Sequence, residues 1–149
     1  MLGYIESGKA DGAKVLVGGE RVDRPGYFVR PTLFTDVKPD SKIMKEEIFG
    51  PVGLIIKFKT EEEVIALAND TAYGLTSQVY TTNLDRAIRM ANALEAGNTF
   101  VNMFSLLCPQ VPFGGTKQSG FGKELGAKAL DEYVLFAPSS RYCPIKARQ

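Results

Sequence analysis

VGLIIKFKTEEEVIALANDTAYGLTSQVYTTNLDRAIRMANALEAGNTFVN, residues 52–102, carries the pattern that decides the fold. Its first part, VGLIIKF (52–58), is a near-continuous apolar run suited to a strand buried on both faces. Thr60 then stands as an N-cap with Glu63 three residues on, a capping box. Val64, Ile65, Leu67 and Ala68 supply the buried side of the helix that follows, and Asn69, Asp70 and Gly74 end it. TSQVY (76–80) is β-prone. Asn83 opens a second helix in which Leu84, Ala87, Ile88, Ala91 and Leu94 recur at helical spacing, with Gly97 placed as a C′ glycine. NTFVN (98–102) is the next strand. Each helix separates strands too far apart in sequence for a hairpin, so the spacing predicts three parallel neighbours joined by right-handed crossovers. The expected fold class is α/β, with an open, mostly parallel sheet and flanking helices.

Upstream of this stretch, residues 3–10 read as the tail of a helix that Gly12 helps to end, and AKVLVGG (13–19) as a short strand closed by a glycine turn. DRPG (23–26) is a turn signal, because Pro presets φ and Gly permits positive φ. An extended segment follows at 27–34, with Tyr27, Val29 and Leu33 apolar; Pro31 makes it an edge strand or an interrupted one. Downstream, the loop at 103–122 is long, and a loop of that length in a compact domain is more often functional than idle. In parallel sheets ligands bind beyond the carboxyl ends of strands, so the residues after Phe58, Tyr80 and Asn102 are the first places to look. Residues 123–133 (KELGAKALDEY) form a last helix candidate, and 134–136 a short strand.

Composition excludes several classes. With 149 residues, 44% hydrophobic and 23% charged, the chain has the makeup of a folded domain rather than a disordered or collagenous one. A net charge of +1, from 18 basic and 17 acidic residues without a basic block, gives nucleic acid no electrostatic footprint. The sequence contains no histidine, which rules out Cys/His zinc sites and any Ser-His-Asp triad, and Cys108 and Cys143 make neither a disulfide framework nor a metal cluster. No apolar run approaches the roughly 20 residues of a membrane span, and the first residues lack the pattern of a secretory signal. A reduced compartment is expected: cytoplasmic, with the mitochondrial matrix as the alternative.

Two motifs carry chemistry. Gly120, Gly122 and Gly126 imitate a dinucleotide-binding fingerprint, but their spacing is too long and no strand stands immediately ahead, so they read as turn and helix-start glycines. KEEIFGPV (45–52) is different: two adjacent carboxylates precede Phe49, and Gly50-Pro51 aim the chain into the apolar strand. A carboxylate there can accept hydrogen bonds from vicinal sugar hydroxyls while an aromatic ring covers a flat cofactor. The other reading, a solvated charge pair beside a core Phe, stays open on chemistry alone.

EEIFGPV (46–52), GNTFVN (97–102) and PFGGTKQSGFGKELG (112–126), in that order and at that spacing, resemble the aldehyde dehydrogenase superfamily over residues 1–133. The resemblance implies that residues 1–137 are the C-terminal part of an aldehyde dehydrogenase catalytic domain. It implies NAD or NADP as cofactor, with Glu47 on the nicotinamide ribose hydroxyls and Phe49 packed beside the ribose and nicotinamide. Phe104, Leu107 and Phe113 would line the aldehyde channel, and Asn102 and Gly114-Gly115 would shape the backbone around it. The family's nucleophilic cysteine, glutamate base and oxyanion-holding Asn precede the segment seen here, so no catalytic residue and no metal ligand is assigned to this chain. Cys108 has two open readings, a channel-lining thiol or a small buried hydrophobe; Cys143 carries no motif.

There are two departures from the pattern. Lys123 stands where the family usually has Arg, which keeps the charge but loses the planar fork of donors. Residues 138–149 form a divergent tail in place of the strand through which the family's homo-oligomers assemble, and Pro138 removes an N–H from it. Three functions compete: part of an enzyme oxidising an aldehyde to a carboxylic acid, with the isolated chain inactive; a truncated non-enzymatic protein that docks on full-length subunits; and an independent nucleotide-binding module.

Overall fold

Thr32 and Phe34 point to the same side of one short strand, and both are shut off from solvent. They lie on β2 (Thr32–Thr35), the middle strand of a three-stranded sheet. β1 (Lys14–Val17) pairs with it antiparallel and β3 (Val52–Leu54) pairs parallel, with Phe34 opposite Val15 and Leu54. The computed structural model describes residues 1–104 and 106–133, and this sheet belongs to the first of two units, Met1–Ala72 and Tyr73–Gln149. Ile5 of α1 (Leu2–Ala10) and Ile43 of α2 (Lys42–Lys45) close over Phe34, with Tyr4, Val15, Val52 and Leu54 packed around them. Burying each such side chain contributes about 1.5–3 kcal/mol. Gly8 lets α1 come this close, since a Cβ there would stand 2.7 Å from Ile43 Cδ1 and 3.2 Å from the Phe34 ring.

The sequence expectations change here in three respects. The 27–34 segment is interrupted, as Pro31 suggested, but β2 is central rather than an edge: Pro31 lies just ahead of the ladder, so its missing N–H costs no strand bond. Tyr27 and Leu33 are exposed, and the core residues of the segment are Thr32 and Phe34. The Thr32 hydroxyl is satisfied internally, accepting from Gly19 N at 2.9 Å and donating to Arg30 O. Most consequentially, β3 is shorter than the apolar run that announced it, and Ile55, Ile56 and Phe58 are exposed. It pairs with β2, so the expected single sheet of three parallel neighbours is not formed by these segments.

The second unit contains the βαβ arrangement that the sequence predicts. β5 (Thr76–Val79) and β6 (Asn98–Val101) run parallel in continuous register, joined through α4 (Leu84–Ala93). β4 (Tyr73–Gly74) pairs antiparallel with β7 (Thr116–Lys117). Asn83 caps α4 by accepting from Arg86 N at 2.8 Å. The helix buries Ala87 and Met90, while Leu84 and Ile88 are exposed, so its inward stripe is turned from the one first read. Gly97 is not the C′ residue of α4, which is capped at Leu94. The last helix candidate is a 3₁₀ segment, Ala127–Tyr133, preceded by Leu125 and Gly126 at positive φ. The strand expected at 134–136 and the tail at 138–149, Pro138 included, lie outside the described residues.

In the first unit, α3 (Glu61–Asn69) is capped as read, with Glu63 N donating to Thr60 Oγ1 at 3.2 Å. The Glu63 carboxylate reaches one residue further back than a capping box requires, accepting from Lys59 N at 2.7 Å. Val64, Ile65 and Leu67 are half-buried and Ala68 is exposed. Thr60→Ala removes the cap, and urea denaturation followed by circular dichroism should show a loss of about 1 kcal/mol; an unchanged midpoint would mean that the cap carries no stability.

Candidate functional site

The two adjacent carboxylates of the EEIFGPV motif have different surroundings. α2 ends at Lys45, and Glu46 turns extended, at φ −106° and ψ 151°. That turn carries the Glu46 carboxylate back over α1, where it accepts from the Tyr4 hydroxyl at 2.8 Å and lies 3.9 Å from Lys42 Nζ. Lys42 Nζ in turn sits 5.0 Å from the centre of the Tyr4 ring. Glu47 points to solvent and, among the described residues, holds no hydrogen bond or ion pair of its own. Phe49 is 89% exposed and is no part of the core formed by the described residues. Gly50 is packed on the Met1 side chain, and Pro51 O accepts from Thr32 N at 2.9 Å, which fixes the chain's entry into β3. An unpaired carboxylate and an exposed aromatic ring therefore stand two residues apart on a segment anchored at both ends.

The channel residues assigned to the second unit divide into two groups. Phe104 and Leu107 are exposed on the loop after β6. Phe113 is half-buried and lines an open cavity of about 670 Å³ together with Leu75, Ser119, Phe121, Lys123 and Leu125. Neither Phe104 nor Leu107 is among the residues lining that cavity. Backbone bonds fix Phe113: its N–H donates to Glu124 O and its carbonyl accepts from Glu124 N, both at 2.7 Å. Gly114 and Gly115, read as backbone-shaping residues, carry close contacts. A Cβ on Gly97 would collide with the Gly114 carbonyl oxygen, and Lys123 Nζ donates to Gly115 O at 2.7 Å. The Lys123 ammonium, a point charge without the planar fork of a guanidinium, thus engages one carbonyl.

Asn102 follows β6 in the left-handed region, at φ 53°, a conformation Asn tolerates better than most residues. Its carboxamide accepts from Thr81 N and donates to Thr81 O, both at 2.8 Å, which continues the β5–β6 pairing one step beyond the strands. The sequence reading missed Asn98. That side chain donates to Pro112 O and accepts from Gly114 N, each at 3.1 Å, so it brackets Phe113 from the β6 side. Only its place in GNTFVN, next to a glycine and at the start of a strand, could have drawn attention to it. The thiol of Cys108 is half-buried and donates to Gln110 Oε1 at 2.9 Å. Gly120, Gly122 and Gly126 all take positive φ, as turn glycines do.

Comparison with known proteins agrees with these motifs. The model of the aldehyde dehydrogenase family matches residues 1–136. An aldehyde dehydrogenase of Agaricus bisporus is 55% identical over 134 residues, which cover 90% of this chain and 27% of that protein. Human retinaldehyde dehydrogenase 3 is 53% identical, covering 90% of this chain and 26% of that protein. The NAD+ complex of an aldehyde dehydrogenase from Bacillus cereus superposes with a TM-score of 0.84 at 52% identity, covering 89% of this chain and 27% of that one. This chain belongs to the aldehyde dehydrogenase family. It spans about a quarter of the length of the relatives it matches.

Gly97→Ala tests the close approach to Gly114. Forcing a methyl group between two backbone segments should destabilise the chain by about 1–3 kcal/mol, read as a lowered urea midpoint; full tolerance would show that the two segments are free to separate.

Proposed function

We propose that this chain is the C-terminal part of the catalytic domain of an NAD(P)-dependent aldehyde dehydrogenase, and that by itself it does not turn over substrate. Glu47 is the carboxylate that accepts hydrogen bonds from the nicotinamide ribose hydroxyls, and Phe49 packs against the ribose and nicotinamide. Phe104, Leu107 and Phe113 line the aldehyde channel, with Asn102 and Gly114-Gly115 shaping its backbone. The observation that carries this reading is the division of labour between the two carboxylates: Glu46 is engaged with Tyr4, while Glu47 keeps its acceptor oxygens open beside an exposed aromatic ring. A vicinal diol has two donors to offer a carboxylate, and a flat heterocycle suits an aromatic face.

In the proposed reaction a cysteine thiolate would add to the aldehyde carbonyl, the adduct would become a thioester on loss of hydride, and water would hydrolyse that thioester to the acid and free the thiol. NAD(P)+ when bound supplies the hydride acceptor. Cys108 is not proposed as that nucleophile. Its thiol donates to a neutral amide oxygen, which cannot take the proton, and the chain has no histidine to do so. The proposed setting is a reduced compartment, the cytoplasm or the mitochondrial matrix. Among the described residues, no helix is long and apolar enough to cross a membrane.

A second reading, a non-enzymatic chain that docks on full-length subunits, is favoured by one observation. Val17 and Leu33 pair across one face of the first sheet and are exposed, as are Ile55, Ile56 and Phe58 beyond β3. Co-elution with a full-length relative on size-exclusion chromatography would support it, and separate elution would contradict it.

The 149-residue chain should give no NADH from acetaldehyde or hexanal above the rate without protein; turnover abolished by Cys108→Ser would overturn the proposal. Placed in a hybrid enzyme, where the matching 134 residues replace those of the Agaricus bisporus relative, the segment should support dehydrogenase activity. There Glu47→Gln should raise the KM for NAD+ roughly ten- to a hundredfold, the effect of weakening hydrogen bonds to a charged acceptor. An unchanged KM, or a folded but inactive hybrid, would contradict the assignment.

A further inference from the structure

The carboxamide of Asn98 sits between two backbone groups of opposite character. Its Nδ2 faces the Pro112 carbonyl and its Oδ1 faces the Gly114 N–H. The residue between them, Phe113, exchanges both of its own backbone bonds with Glu124. Four consecutive polar groups, from Pro112 O through Gly114 N, are therefore satisfied from two sides, by β6 and by the Glu124 segment. The Gly97 backbone, in contact range of the Gly114 carbonyl, leaves that frame little room to shift. An Asn side chain presents one acceptor and two donors on a single short stem. Asp in its place is ionised at neutral pH and has acceptors only, so it can serve Gly114 N but meets Pro112 O with like polarity.

We propose that Asn98 is a positioning residue: it fixes the backbone of Phe113 and so sets where the Phe113 ring stands in the aldehyde channel, which makes it a determinant of aldehyde size. This rests on the reading that Phe113 lines that channel. In this role Asn98 touches neither the aldehyde nor the cofactor; it acts through Phe113. A residue with only a general structural role would alter the binding of aldehyde and cofactor together, whereas a positioning residue for Phe113 moves the aldehyde alone.

Two measurements test it. In the 149-residue chain, amide hydrogen exchange at Gly114 should speed up about tenfold in Asn98→Ala, as expected when one hydrogen bond is lost, and less in Asn98→Asp, which keeps the acceptor. In the hybrid enzyme, Asn98→Ala and Asn98→Asp should raise the KM for hexanal several-fold and change its ratio to that for acetaldehyde, with the KM for NAD+ within twofold of the parent. If Ala prevents folding, the Asp variant decides, because it keeps the volume and one of the two bonds. Equal changes in the aldehyde and NAD+ constants, or no change at Gly114 and in the hexanal KM, would overturn the inference. Phe113→Ala separates the two levels. If it leaves both aldehydes unaffected, the channel reading fails; if it shifts them while the Asn98 variants do not, only the positioning role fails.

Discussion

At Gly97 the chain passes so close to the Gly114 carbonyl that no side-chain carbon fits between the two segments. Much of the second unit follows from that contact. It seats the start of β6 against the far end of the long loop, and from there Asn98 reaches Pro112 and Gly114. Behind the loop, Glu124 takes both backbone bonds of Phe113 and Lys123 holds the Gly115 carbonyl. On the other side, Gly97 N donates to Gly74 O at 2.9 Å, tying the same junction to β4, while Thr116 of β7 donates to that same carbonyl at 3.2 Å. A loop that would otherwise cost conformational entropy to order is thus held by backbone groups with fixed partners. The ring it presents to the cavity inherits that order.

The first unit shows the same logic with different chemistry. A small apolar core of Ile5, Phe34 and Ile43 holds α1 and α2 on the sheet. The Tyr4 hydroxyl then claims Glu46, and the chain turns extended into Ile48, Phe49 and Gly50. Glu46 thus serves the fold, while the Glu47 carboxylate stays open to solvent. Neither role is visible in the residue types, since two adjacent glutamates are chemically the same until their surroundings differ. The salt bridge to Lys42 adds little by itself, both partners being about half exposed to water.

Local signals with a mechanism survived the comparison of sequence and structure. Thr60 and Asn83 cap the helices they were expected to cap, and the β5–α4–β6 unit is parallel as its connection length required. The family motifs fell in order, and a family model covers the same stretch. What failed was long-range. Nothing in VGLIIKF states which strand it will pair with, and it chose β2, whose residues lie upstream past a proline. The helix stripe of α4 was misjudged because Leu84 and Ile88 match the period as well as Met90 does, and periodicity cannot say which side is covered. Gly97 looked like a helix cap and is a contact glycine, a distinction that depends on a loop segment distant in sequence. Asn98 was silent for the same reason: its partners at 112 and 114 come from the far end of the long loop.

Glu47 and Phe49 are proposed as one half of a cofactor contact carried by an aldehyde dehydrogenase segment. A crystal structure of the hybrid enzyme with NAD+ bound tests it most directly. The expected result has the nicotinamide ribose hydroxyls within hydrogen-bonding distance of the Glu47 carboxylate, Phe49 against the ribose and nicotinamide, and Glu46 still bonded to Tyr4. A bound cofactor whose ribose is held by Glu46, or by neither glutamate, would contradict it.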